Sequence, residues 1–193
     1  MSFVATLPAP LTADSRRFFA AWHSWRHGNL LPERRDLDTK SLGDLLPRCL
    51  FLEIRGRENI YIWFAGSKVR EMLGTELSGR NYLDLTTPEN RQRRAALLFA
   101  EAAQPCAAVI YYWLRDGGHG VMPVELVSAP MLADDAMQAS LILACATPLM
   151  QAEQAIVAAP QSYAEGEGLR FIDIGAGTPP LTGSLLLPSQ QVQ

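Results

Sequence analysis

The chain of 193 residues carries 17 Lys and Arg against 20 Asp and Glu, a net charge of −3, and 48% hydrophobic side chains. That is enough apolar material for one core with extensions and tight for two domains. No run approaches the roughly 18 apolar residues that cross a bilayer. A small negative charge without a concentrated basic surface argues against a nucleic-acid partner, so neither membrane nor nucleic acid is expected.

Three cysteines, Cys49, Cys106 and Cys145, are scattered among apolar neighbours. They read as buried, reduced thiols. Residues 1–10 have no charged n-region and no long apolar stretch, so the expected location is the cytoplasm.

Residues 1–12 are rich in Pro, Ala and Leu and read as a loose arm. Thr12 or Asp14 can cap a helix from about Ser15 to His27. Phe18, Trp22 and Trp25 fall at i, i+4, i+7 and make one aromatic stripe, widened by Phe19. Two readings of that stripe stay open: it covers an apolar patch of its own domain, or it forms the contact of a homodimer. His23 and His27 share a helix face, but no third ligand accompanies them, so no metal is expected. A short helix follows, capped by Asp38 or Thr39, with Leu42, Leu45 and Leu46 on its apolar face and Pro47 as its stop.

Cys49–Ile54 and Ile60–Ala65 read as a hairpin joined by Arg55-Gly56-Arg57-Glu58-Asn59. In its second strand, period two places Ile60, Ile62 and Phe64 on one face and Tyr61 and Trp63 on the other. With Ser67 as N-cap, a helix runs to Leu73 with Val69, Met72 and Leu73 inward and Gly74 as stop. Leu77, Tyr82, Leu83 and Leu85 anchor the next loop. Thr87 caps a longer helix over about Pro88–Ala103, whose inward stripe is Ala95, Leu98, Phe99 and Ala102. Arg91, Arg93 and Arg94 make a basic patch near its start, read as a solvated surface or, alternatively, as a contact for an acidic partner or a phosphate.

Three strands follow: Cys106–Arg115, Val121–Ser128 and Ala139–Thr147. The first two are joined by a glycine turn carrying His119. Pro123 removes a ladder donor and implies an edge or a bulge. Thr147-Pro148 reads as the start of another helix, which ends before Pro160. Leu169–Ile174 reads as a short extra strand ahead of a tail rich in Gly, Pro, Ser and Gln. Gly175-Ala176-Gly177 lacks the third glycine and the helix of a dinucleotide fingerprint.

With these elements in order, the chain resembles the PAS superfamily. More particularly, it looks like the alphaproteobacterial single-PAS proteins long filed as a domain of unknown function. The resemblance rests on Trp25-Arg26-His27-Gly28-Asn29-Leu30-Leu31-Pro32, Arg35-Asp36-Leu37-Asp38, Leu45-Leu46-Pro47, Phe64-Ala65-Gly66-Ser67, Gly74-Thr75-Glu76-Leu77-Ser78-Gly79-Arg80 and Leu83-Asp84-Leu85. It implies an α+β fold: a five-stranded antiparallel sheet with short helices and one longer helix on one face. An N-terminal flanking helix and a C-terminal extension complete it. The expected division is an arm with flanking helices over residues 1–47, the PAS-like domain over 48–150, and a helix end, short strand and tail over 151–193.

The resemblance also implies a non-catalytic sensor or protein-interaction module that acts through a signalling partner in trans. A small-ligand pocket would be lined by Phe64, Val69, Met72, Tyr82, Leu98 and Phe99; ordinary core packing is the plainer reading of the same set. The homodimer contact would be Phe18, Trp22 and Trp25. The cofactor is left unknown. Covalent flavin chemistry is argued against by the lack of a cysteine in Gly79-Arg80-Asn81-Tyr82, and haem by the lack of a histidine on the long helix. The alternative is a small enzyme or ligand carrier with an α+β cavity, using Glu53 or Glu125 beside His119 or Tyr111.

Overall fold

The computed structural model describes residues 11–86, 88–116, 120–149 and 168–181. Helix α1 spans Ala13–Trp25, with the Thr12 hydroxyl accepting from the Ser15 N–H as its cap. A short helix α2, Thr39–Leu42, runs into a 3-10 segment, Gly43–Arg48. The strands β1 (Cys49–Gly56) and β2 (Asn59–Ala65) form the expected hairpin, followed by α3 (Ser67–Leu73), a 3-10 turn at Tyr82–Leu85 and α4 (Pro88–Ala103). The remaining strands are β3 (Cys106–Asp116), β4 (Gly120–Leu132), β5 (Ala139–Pro148) and β6 (Gly168–Asp173).

All six strands belong to one antiparallel sheet in the order β2-β1-β5-β4-β3-β6. The sheet therefore has one strand more than the five expected. β6 pairs along β3 from Cys106↔Asp173 to Tyr111↔Gly168, so the extra strand closes the sheet edge that β3 would otherwise leave open. The Asp173 carboxylate then accepts from the N–H groups of Gly175 and Gly177. This Asx-type turn is the use the chain makes of that glycine pair. Pro123 lies on an inner strand, one residue past the last β4–β5 rung, Val124↔Pro148. Thr147 and Pro148 are strand residues rather than a helix start. The helix expected beyond them, the turn at His119 and the tail from residue 182 lie outside the described residues.

Helices α3 and α4, the short helix and the longer one, share one face of the sheet as expected, and the N-terminal flanking helix α1 covers the other. On one face, Phe18, Phe19, Trp22 and Trp25 of α1 pack with Phe51, Val109, Val127, Leu141, Leu143 and Cys145. On the other, Val69, Leu83, Ala95 and Leu98 from α3 to α4 pack with Leu50, Leu52, Ile60, Ile62, Ile142 and Ala144. The core thus includes α1 and β6, so the residues on either side of 48–150 share its packing.

The aromatic stripe of α1 is resolved by burial. Phe18 and Trp22 are 0% exposed and Trp25 is 3% exposed within the single chain. Trp22 Nε1 donates to the Pro130 carbonyl at 3.0 Å, and Trp25 Nε1 donates to Ser41 Oγ at 3.1 Å. Both rings bury their carbon against the sheet and place their one donor on an internal acceptor. Within the described residues the stripe covers the chain's own sheet, and Phe18, Trp22 and Trp25 are buried there.

All three cysteines are buried and free. Cys49 and Cys145 are Cα partners across β1 and β5. Cys49 Sγ donates to the Leu45 carbonyl at 3.3 Å, and the neighbouring Cys145 thiol together with burial pushes the Cys49 pKa up, which keeps it a thiol.

Candidate functional site

The site begins at a β-bulge. β1 pairs with β2 at Phe51↔Phe64 and then at Leu52↔Ile62, so Trp63 is an extra residue on β2. A bulge shifts the alternation of side chains by one. Phe64 therefore leaves the face of Ile60 and Ile62 and stacks on Phe51 at a centroid distance of 4.8 Å, beside Trp63 at 5.0 Å from Phe51. Phe64 lies under α1, on the opposite side of the sheet from α3 and α4.

The chain after the bulge builds the α3–α4 side. Gly66, rather than Ser67, is the N-cap of α3. Gly74 ends the helix in the left-handed conformation, at φ 64°, where a Cβ is disfavoured. The following loop runs back along β2: Gly79 N–H donates to Ile62 O at 2.8 Å, and Ile62 N–H donates to Arg80 O at 2.9 Å. Asn81 holds this return with its side chain. Its Oδ1 accepts from Ile60 N–H and Leu83 N–H, and its Nδ2 donates to Glu58 O. The outer edge of β2 is thus covered, and Tyr82 and Leu83 are delivered over the sheet.

Beneath these elements lies a cavity of about 140 Å³. Its aliphatic wall comes from Leu50, Val69, Leu73, Leu97, Leu126 and Ala146, and Tyr82 contributes an aromatic edge. Two guanidinium groups reach the same wall, Arg48 and Arg94. Arg48 is paired with Asp14 at 2.7 Å, and Arg94 Cζ stands 5.1 Å from the Tyr82 ring centroid. Arg94 is therefore a cavity residue rather than part of a solvated patch. Arg91, by contrast, bonds Asp84 at 2.8 Å and Glu58 at 3.4 Å, which ties α4 to the preceding loops.

Of the expected pocket residues, Val69 and Tyr82 line this cavity, and Leu98 is buried in the adjoining core. Met72 packs against Val124 and Ala146. Phe99 faces away, onto a wider surface groove of about 910 Å³ that it shares with Leu30, Leu132 and Met137.

The two guanidinium groups are not the only polar groups inside. Glu101 on α4 is 0% exposed, its Oε2 accepts from Ser128 Oγ at 2.9 Å, and its Oε1 has no hydrogen-bond partner among the described residues. Burial pushes its pKa up to about 8, against the weaker opposing pull of the Ser128 hydroxyl. The sequence reading missed it, although Ala95, Leu98 and Glu101 are spaced three apart on one helix face. The signal was present in the period and was masked by the charge of the residue type.

Glu125 occupies the opposite face. It is 1% exposed and its Oε1 accepts from Thr12 N–H, Thr12 Oγ1 and Ser15 Oγ, while Oε2 accepts from Tyr111 O–H at 2.8 Å. Burial pushes its pKa up, but the hydrogen bonds from Ser15, Thr12 and Tyr111 outweigh it and leave the carboxyl below its ordinary value. The carboxylate binds the first turn of α1, where the helix dipole favours an anion. Glu125 and Tyr111 do come together, but under α1 and not in the cavity; Glu53 pairs with Arg55 at 2.7 Å. Glu125→Gln is expected to lower unfolding free energy by about 1–3 kcal/mol through mismatched donors. Urea unfolding at neutral pH measures this. The depressed pKa means the contribution of Glu125 is present above the ordinary carboxylate range and is lost as pH falls through the folded value, so the variant converges on the parent in acid.

The comparisons with known proteins agree with this architecture. The family model described as PAS domain matches residues 12–145, from the cap of α1 to the middle of β5. The chain belongs to the PAS family. No curated protein matches it. PAS domains are in general sensory or regulatory modules without catalytic activity, and they often mediate protein interaction. Among the described residues of this PAS domain, no helix is long and apolar enough to cross a membrane.

Proposed function

We propose that this PAS domain is a non-catalytic sensor that holds a small ligand in the α3–α4 cavity and passes the signal to a protein partner in trans, in the cytoplasm. The observation that carries the reading is the cavity itself: about 140 Å³ between helix and sheet, with an aliphatic wall and two arginines. The pocket is partly open, and its apolar wall gives a small ligand a surface to bury between the helices and the sheet. Kinship with the alphaproteobacterial single-PAS proteins is part of the same proposal and rests on the sequence blocks alone. Self-association also belongs to it, through a surface other than the α1 stripe. Light scattering tests that part, and a monomer removes it.

Native mass spectrometry of the purified protein tests the ligand. The wild type is expected to carry an additional small mass that denaturation releases. Ala146→Leu, which adds bulk to the cavity wall, is expected to fold and to lack that mass. Equal, bare masses for the two proteins would count against a resident ligand.

A further inference from the structure

We infer that α4 is a proton-gated wall: Glu101 lets the helix lie on the sheet while its carboxyl carries a proton, and drives the helix off when the proton leaves. Such a gate works with the ligand cavity filled or empty, so it adds a second input to the sensor proposed above. The helix is lightly held. Of the described side chains on its 16 residues, Ala95, Leu98 and Glu101 are buried. Helix α1, by contrast, buries Phe18, Phe19, Trp22 and Trp25. One alanine and one leucine give α4 far less hydrophobic hold, which places it among the elements that open before the core does.

The third buried residue is the carboxyl. Its Oε2 accepts from Ser128 Oγ, and its Oε1 has no hydrogen-bond partner among the described residues. Glu125, buried on the opposite face, accepts from Thr12, Ser15 and Tyr111 and is held ionised. A single hydroxyl does not replace the water a carboxylate loses on burial. The other titratable groups leave that balance in place. On β3, the Cys106 thiol lies within reach of the Glu101 charge, and Asp173 of β6, near the same thiol, is held by the Gly175 and Gly177 N–H groups. The titratable group of β5 is Cys145, which packs under α1. In the 3-10 turn before α4, Asp84 bonds Arg91 and Tyr82 lies under Arg94. Arg91, Arg93 and Arg94 sit about two turns or more toward the start of the helix. Burial raises the docked carboxyl from 4.5 to about 8, so between these values the ratio of docked to released helix falls about ten-fold per pH unit. Arg94 and Leu97 wall the cavity, and Phe99, Ala102 and Ala103 wall the outer groove, so release of α4 opens both.

Hydrogen exchange of the full chain, read by mass spectrometry from pH 6 to 8.5 and corrected for the intrinsic amide rate, tests this. The opening constant of α4 is expected to exceed that of the central strand β5 and to rise about ten-fold per pH unit up to the folded pKa. In Glu101→Gln it is expected to stay level. Ser128→Ala removes a donor that favours the ionised form, so its rise is expected to continue past the pH at which the wild type levels off; this variant serves if the Gln variant does not fold. Equal opening constants for α4 and β5 would show that Glu101 acts only on the whole fold. A pH slope that survives in Glu101→Gln would assign the proton to another group. Either result overturns the gate and leaves the ligand cavity standing.

Discussion

Gly66→Ala is expected to destabilise the protein by several kcal/mol, the range of overpacking in a core that cannot relax. Gly66 sits between β2 and α3 with φ −63°, a conformation that alanine adopts freely, so the cost is not one of backbone strain. It is steric. A Cβ there would lie under 3.0 Å from the carbonyl oxygen and carbon of Pro47 and from the carbonyl oxygen of Leu46. All three are backbone atoms of the 3-10 segment Gly43–Arg48, which cannot swing aside as a side-chain tip can. Gly66 N–H also donates to Cys49 O at 2.9 Å, and Gly66 O accepts from Arg70 N–H at 3.1 Å. Relieving the clash would therefore move the start of α3 and the first rung of β1 together, and with them Arg48 and Val69 on the cavity wall. Gly56→Ala is the control, since nothing lies within 4 Å of a Cβ at that position. Urea unfolding of both variants checks the contrast; a small effect at Gly66 would mean that the 3-10 segment is not packed as described.

The second large effect is a pH dependence from Glu101. Its folded pKa is raised by burial from an ordinary 4.5 to about 8. Between those values the folded chain keeps a proton that the unfolded chain has released. Stability from this group is therefore complete below about 4.5 and falls as pH rises to about 8, at up to roughly 1.4 kcal/mol per unit. The summed loss is a few kcal/mol. Among the described residues around it, Ser128 on β4 donates to it, and Cys106 on β3 is a thiol whose pKa is pushed up by burial first and then by Glu101 and Asp173. Glu101→Gln keeps an acceptor for Ser128 and removes the titration. Unfolding free energies measured from pH 5 to 8.5 are expected to fall for the wild type relative to Glu101→Gln. Parallel profiles would show that the carboxyl is ionised in the folded state.

Both features lie at the limit of what a sequence displays. Local signals placed most elements well. Thr87-Pro88 and Gln104-Pro105 bracket a helix observed over Pro88–Ala103, and Cys49 and Cys106 each begin the strand expected there. The period of α1 identified its buried face but not what it faces, because an amphipathic stripe looks alike whether it meets its own sheet or another chain. Phe64 went to the wrong face because a bulge at Trp63 leaves no mark in a run of alternating apolar residues. Glu101 was passed over because a carboxylate on a helix normally faces water, and its burial is decided by Ser128, a residue 27 positions away. Arg94 read as surface for a similar reason: Tyr82, the ring it covers, is brought back by the Asn81 loop. The cavity is assembled from β1, β3, β4, β5, α3 and α4, so its outline exists only once the sheet order is known.

Methyl-resolved NMR titration of the folded protein with small apolar compounds addresses the central claim most directly. Shifts are expected to concentrate on Val69, Leu73, Leu97 and Leu126, which wall the cavity, and to be lost in Ala146→Leu. Shifts confined to Leu30 and Leu132 in the outer groove, or unchanged spectra throughout, would contradict it.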